Sequence, residues 1–242
     1  MKITYATYSS IGNREKNEDS ILACCDGTAG LFLVADGLGG HGAGEYASAS
    51  VVNTASEMYR MDPAGFRLDA AFQQGQEILL RQQQENYALA DMKTTLTALL
   101  IREDTAQWAH IGDTRLYAFR KGKLQTRTLD HSVPQMLVTM GEIKESDIRH
   151  HEDRNRLLRV MGSPWNERSF TLTQPAKIKK NMQFLLCSDG FWENIVEKEM
   201  QDCLLSARSV EDWLSRMAEL VTVHGQGTNM DNNTALAVWA EK

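Results

Sequence analysis

The chain has 242 residues, 42% of them hydrophobic and 24% charged, and a formal net charge of -6. That length and balance suit a folded globular protein able to bury a core without disulfide staples. The acidic charge argues against a general nucleic-acid-binding surface, and a chain of this sign that handled phosphate would need bound cations to offset its own field.

The first residues, Met1 to Ser10, lack the apolar run of a signal peptide, and no apolar stretch reaches membrane-spanning length. A cytoplasmic location and no membrane partner are therefore expected. Strand-like segments follow at Ile3 to Ser9, Ile21 to Cys25 and Leu31 to Ala35. A helix is expected from Ala43 to Tyr59, entered from a glycine-rich loop, and a second, amphipathic one from Ala64 to Glu85.

Four strands then read as an antiparallel meander: Thr94 to Ile101, Gln107 to Ile111, Arg115 to Phe119 and Lys123 to Thr128. The stretch from Val133 to Met161 reads as more helical and polar. Phe170 to Thr173 and Phe184 to Ser188 return to strand, Glu197 to Ala207 and Val210 to His224 form a helix pair, and Ala235 to Trp239 is a last strand. No repeat or Pro/Ser-rich linker divides the chain, so one domain over residues 1–242 is the simplest reading. The lack of regular strand–helix alternation points to an α+β layered fold with antiparallel sheets. Cys24, Cys25, Cys187 and Cys203 contain no CxxC spacing, so buried, reduced thiols are expected rather than a zinc site.

The chemistry-bearing residues recur at strand ends. Arg14, Glu18 and Asp19 lie between two expected strands; the guanidinium suits a phosphoryl group and the acids suit a hard cation. Asp36 ends an apolar strand and opens the Gly37-Leu38-Gly39-Gly40-His41 loop, whose spacing fits neither a dinucleotide fingerprint nor a P-loop. Asp113 follows Gly112 in a tight turn, Asp189 and Gly190 follow the Phe184 to Ser188 run, and Asp231 precedes the last strand. Each alone reads as an ordinary turn. If they converge, their mutual repulsion calls for divalent cations, and an aspartate set without His or Cys partners favours Mg²⁺ or Mn²⁺ over zinc.

Taken together, Arg14…Asn17-Glu18-Asp19, Asp36-Gly37…Gly39-Gly40-His41, Gly112-Asp113-Thr114-Arg115, Asp130-His131-Ser132, Ser188-Asp189-Gly190 and Asp231-Asn232 resemble the PP2C (PPM) serine/threonine phosphatases, in their compact bacterial form. The resemblance spans nearly the whole chain in order, and Asn155 to Gly162 fits it too. It implies a four-layer α-β-β-α fold, with a central sandwich of two antiparallel sheets flanked by helix pairs, and a flap at 133–151. It implies hydrolysis of phosphoserine and phosphothreonine by direct attack of a metal-bridging water, without a phospho-enzyme, and no Cys-x5-Arg pattern argues otherwise.

In the same resemblance, Asp36 bridges two Mn²⁺ or Mg²⁺ ions. The Gly37 carbonyl and an acid of the Glu18-Asp19 pair complete one shell, and Asp189 and Asp231 hold the other ion. Asp113, Asp189 and Glu193 form a weaker third site, Arg14 binds the substrate phosphate, and His41 is a candidate general acid. The implied partners are phosphorylated proteins, a cognate Ser/Thr kinase and its targets, a secretion-system pathway among the options. The chain departs from the family pattern at Lys93, Glu193 and Asn233. Two other readings stay open on the residues: a pseudophosphatase serving as a regulatory binding module, and the same chemistry on another phosphomonoester.

Overall fold

The computed structural model describes residues 1–38, 43–165 and 169–241. Its strands form two antiparallel sheets. One runs β1(Lys2–Ser10), β12(Asn233–Glu241), β11(Met182–Cys187), β7(Arg115–Arg120), β8(Lys123–Arg127). The other runs β10(Ala176–Lys177), β6(Thr105–Ile111), β5(Leu96–Arg102), β3(Gly30–Leu38), β2(Asp19–Cys25), with β4(Lys93–Thr94) beside β3 and β9(Thr171–Leu172) beside β6.

Helices α1(Ala43–Met61) and α2(Leu68–Glu85) cover one outer face; α4(Asp189–Trp192), α5(Glu197–Ser206) and α6(Val210–His224) cover the other. The expected α-β-β-α layering is present. Strands β3, β11 and β12 are continuous apolar runs because both their faces are buried. Leu31, Leu33 and Ala35 pack toward α1 and α2, while Phe32 and Val34 meet Phe184, Leu186, Leu236 and Val238 between the sheets. Truncating such an inter-sheet residue, as in Phe32→Ala, costs about 3–5 kcal/mol.

Helix ends follow local chemistry. In α6, Ser209 accepts a hydrogen bond from the Asp212 amide, and Glu211 and Asp212 lie in the positive first turn. Val210, Trp213, Leu214, Met217 and Val221 bury one stripe of this helix. Helix α3(Val133–Met140) starts at the Ser132 cap with Pro134 in its first turn, and stops at Gly141, whose φ is 78°.

Several sequence expectations are corrected. The strands read as one meander are split: β5 and β6 belong to one sheet, β7 and β8 to the other. The chain crosses between sheets at the Gly112-Asp113 turn, where Gly112 takes a φ of 95° and a Cβ would strike the Thr95 side chain. Helix α2 begins at Leu68 rather than Ala64, because the Asp62 carboxylate accepts the Gly65 amide and Arg102 binds the Ala64 and Phe66 carbonyls in a turn. Between Val133 and Met161 the helical content is α3 and a 3-10 turn at Glu145–His150. Cys187 and Cys203 are buried thiols, but Cys24 and Cys25 are only half-buried, on β2 at the edge of its sheet; all four are free. No described helix is long and apolar enough to cross a membrane.

Candidate active site

Asp36 lies inside β3 rather than at its end, and pairs across the sheet with Asp19, the first residue of β2. Its backbone is fixed on the other side: the Asp36 amide donates to the Thr95 hydroxyl at 2.9 Å, and its carbonyl accepts from the Thr95 amide at 2.9 Å and the Thr94 hydroxyl at 2.8 Å. Gly37 follows where three backbone segments meet. A Cβ there would run into the Gly44 and Glu18 carbonyls, so only glycine fits.

The second sheet brings the opposing acids. Asp189 opens α4, and its carboxylate accepts from the Gly190 amide at 2.6 Å. Asp231 stands just before β12. Gly190 packs against the Asn232 carbonyl, which holds the Asp189 and Asp231 segments together. The crossover turn contributes Asp113, whose carbonyl accepts from the Trp192 indole at 2.9 Å. His131 grips the same turn: its amide donates to the Gly112 carbonyl at 2.9 Å and its Nδ1 accepts from the Gly112 amide at 3.2 Å. Burial, with His110 stacked at 4.7 Å, pushes the His131 imidazole down to about 3, so it stays neutral in that acceptor role.

Asp19, Asp36, Asp113 and Asp189 thus gather beside Asp231, and the electrostatics show the strain of that gathering. Burial, then the charges of Asp189, Asp19 and Asp113, pushes Asp36 well above the usual carboxylate range. Asp189 is itself raised by burial and by the charge of Asp231. Asp113 is raised well above its ordinary value by burial and by Asp189. Burial raises Asp19 to about 7 even though Ser188 and Thr234 hydrogen-bond it. Glu18 is raised by burial and by Asp231 and Glu45, and Glu193 is pushed to about 7 by burial and by Asp189.

Of these acids Asp189 and Glu193, with Asp231, line a cleft of about 850 Å³ that also takes in Arg14 and Arg154. Arg14 is ion-paired to Asp231 at 2.7 Å, and Arg154 sits 3.3 Å from Glu193. His41 lies outside the described residues.

Among the described residues, no three His, Cys, Asp or Glu side chains stand in ready coordination geometry. Without a cation, burial and mutual repulsion push Asp36 and Asp189 toward their protonated forms. Their chemistry nevertheless fits hard divalent cations. The donors are all oxygen, their repulsion favours added positive charge, and the Oδ1 of Asp19 is buried without a hydrogen-bond partner. Because such ligands bind as carboxylates, metal binding at raised carboxyls would release protons.

Several contributors escape a reading of the sequence. Asn232 is a backbone hub: its Oδ1 accepts from the Glu18 amide at 2.8 Å, and its Nδ2 donates to the Ile11 and Lys16 carbonyls at 2.8 and 2.9 Å. Ser188 donates to Asp19 at 2.8 Å while its Oγ accepts the Thr234 amide at 3.0 Å. Arg115 forms a buried two-bonded pair with Asp130 at 2.8 and 2.6 Å and lies 3.4 Å over the Trp192 ring. All four stand in the motifs that carry the family resemblance, but nothing local to the sequence tells that Asn232 and Ser188 bridge backbone segments or that Arg115 pairs with Asp130.

Residues 7–237 match the sequence profile of the protein phosphatase 2C family. The serine/threonine protein phosphatase PstP of Mycobacterium tuberculosis is 31% identical over 238 residues, 97% of this chain and 44% of that protein; the chain thus spans under half of that relative's length. The catalytic domain of PstP in complex with two manganese ions superposes with a TM-score of 0.86 at 31% identity, covering 100% of this chain and 99% of that one. PppA, a key regulatory component of the T6SS in Pseudomonas aeruginosa, superposes with a TM-score of 0.80 at 31% identity, covering 98% of this chain and 97% of that one. The chain belongs to the protein phosphatase 2C family.

Proposed function

We propose that this chain is a metal-dependent protein phosphatase that hydrolyses phosphoserine and phosphothreonine. The observation that carries the reading is the convergence of Asp19, Asp36, Asp113 and Asp189, from both sheets and the crossover turn, into one set of mutually perturbed carboxyls beside the cleft that Asp189 and Asp231 line. Acids are rarely brought together at such electrostatic expense unless a cation or a proton-transfer role repays it.

In this reading Asp36, Asp189 and Asp231 would hold one Mn²⁺ or Mg²⁺ ion, and Asp36, the Gly37 carbonyl and Asp19 would hold a second. The unpartnered Oδ1 favours Asp19 over Glu18, whose carboxylate packs on Gly44 instead. Asp113, Asp189 and Glu193 form a weaker third site. When bound, such ions acidify water and offset the charge of a phosphoryl group.

The chain's own residues do the rest. Arg14, at the cleft and about half exposed, turns from Asp231 to the phosphate dianion, its planar fork suited to two phosphoryl oxygens. Residues 1–242 form one catalytic domain with a flap at 133–151. A cytoplasmic setting accords with the free thiols. The relationship to PppA makes a kinase-linked secretion pathway one setting for the substrates.

The test is hydrolysis of a phosphoserine and phosphothreonine peptide panel with Mn²⁺, with Mg²⁺ and with excess chelator. Turnover that requires the metal is the expected result. Turnover that survives full chelation would remove the carboxylate cluster from the mechanism.

A further inference from the structure

A second cavity, of about 600 Å³, shares no lining residue with the carboxylate cleft yet reaches the same crossover turn through His131. It lies between α3, the Thr126 to Ser132 segment, Leu158-Arg159 and strands β6 and β9. Four large apolar side chains on it are exposed to solvent: Leu129 at 56%, Met136 at 38%, Met140 at 64% and Leu158 at 52%. Isolated exposed apolar residues are ordinary, but several bordering one concavity mark a binding surface, and methionines adapt to varied partners.

The charge at this cavity is specific. Its one acid is Asp130, already committed to Arg115. Arg127 is paired with Asp130 and Glu145. Arg159 is exposed and, among the described residues, forms no ion pair. A chain with net charge -6 therefore carries here an apolar concavity with a cation at its mouth that no described acid pairs. Its complement is a segment with apolar side chains and a carboxylate. A two-fold contact between copies would bring the Arg159 rims together, and a concave site suits an inserted chain better than a flat lipid surface.

We propose that this cavity docks a segment of the phosphoprotein substrate remote from its phosphorylated residue, with apolar side chains seated among Leu129, Met136, Met140 and Leu158 and a carboxylate paired with Arg159. The proposal rests on the phosphatase reading above. Docking there would lower KM for proteins that carry the segment and leave small phosphate esters unaffected. Because His131 forms part of the wall and holds Gly112, the docked segment would also bear on the turn that carries Asp113.

The test uses the full chain with Mn²⁺, the variant Arg159→Glu and the double variant Met140→Gln/Leu158→Gln, all at exposed positions. Substrates are p-nitrophenyl phosphate, a phosphothreonine peptide with leucines and glutamates distal to the phosphate, and its counterpart with those residues replaced by serine and lysine. Both variants should lose about tenfold in kcat/KM on the leucine-glutamate peptide, through KM, with the other two substrates unchanged. Equal loss on all substrates, or no loss on any, overturns the proposal.

If the parent protein hydrolyses none of them, the phosphatase reading fails instead. Docking is then decided by fluorescence anisotropy of the unphosphorylated, fluorescein-labelled leucine-glutamate peptide. Binding weakened about tenfold by each variant supports docking, and absent or unaltered binding overturns it. A dimer in sedimentation, or adsorption to phosphatidylglycerol vesicles, that the double variant abolishes would assign the surface to a second copy or to lipid and overturn it as well.

Discussion

Asp189, which opens α4 beyond β11 of one sheet, lies close enough to Asp36, inside β3 of the other, that after burial its charge is the largest influence raising the Asp36 carboxyl. Burial and that charge favour the protonated form of Asp36, since two buried carboxylates so close are costly to charge together without a cation between them. Asp36→Asn keeps a hydrogen-bond donor and removes the charge. The metal-free variant should be more stable than the parent by about 1–3 kcal/mol at pH 8, while phosphopeptide turnover falls by about a hundredfold or more. Urea melts in chelator and steady-state kinetics in Mn²⁺ check both halves; retained turnover contradicts the role of Asp36.

The raised carboxyls also fix a pH dependence. Asp19 and Glu193 titrate near 7 in the folded protein, against ordinary values of 3.8 and 4.5, and Asp36 and Asp113 are raised as well. Between roughly pH 4 and 7 the folded state therefore binds more protons than the unfolded state, so metal-free stability falls as pH rises through that window. Bound Mn²⁺ replaces those protons. The expected result is a metal-induced rise in Tm that is large at pH 8 and small at pH 5, read by calorimetry with and without Mn²⁺. A rise that does not change with pH contradicts the assignment.

How much of this was legible in the sequence depends on how far each contact reaches. Strands β3, β11 and β12 were readable because burial on both faces makes them unbroken apolar runs. The crossing at Gly112 was not, because a turn that changes sheets uses the same Gly-Asp chemistry as a hairpin turn. The aspartates were visible as strand-end residues, but the environment of Asp19 was not. Its partner Ser188 is 169 positions away, and that separation leaves no local pattern. The segment from 145 to 156 likewise lacks a period of its own; Arg149 holds it by bonding the Trp192 and Ile195 carbonyls and Glu197.

Asn232 ties three backbone groups of the loop between β1 and β2 to the start of β12. Asn232→Ala would strand the Glu18 amide and the Ile11 and Lys16 carbonyls, lowering stability by about 2–4 kcal/mol. Because Glu18 and Asp231 flank this hub, Mn²⁺ affinity should fall as well. Urea unfolding and Mn²⁺ titration calorimetry check the two effects. Unchanged stability would mean that water replaces the amide without loss.

Arg115 and Asp130 are a nearly solvent-free pair, each side chain 1% exposed. Arg115→Met leaves Asp130, among the described residues, with Arg127 at 3.7 Å as its remaining cation, and should cost about 3–5 kcal/mol; adding Asp130→Asn should recover part of that loss. A double-mutant cycle on urea midpoints measures the coupling, and strictly additive losses would contradict it.

The central claim is that the acids of both sheets hold divalent ions. It is tested most directly by a crystal soaked in Mn²⁺ and measured at the manganese absorption edge. The account predicts two anomalous peaks, one between Asp36 and Asp189-Asp231 and one between Asp36 and the Gly37–Asp19 side. No peak among these carboxylates at saturating Mn²⁺ would contradict it.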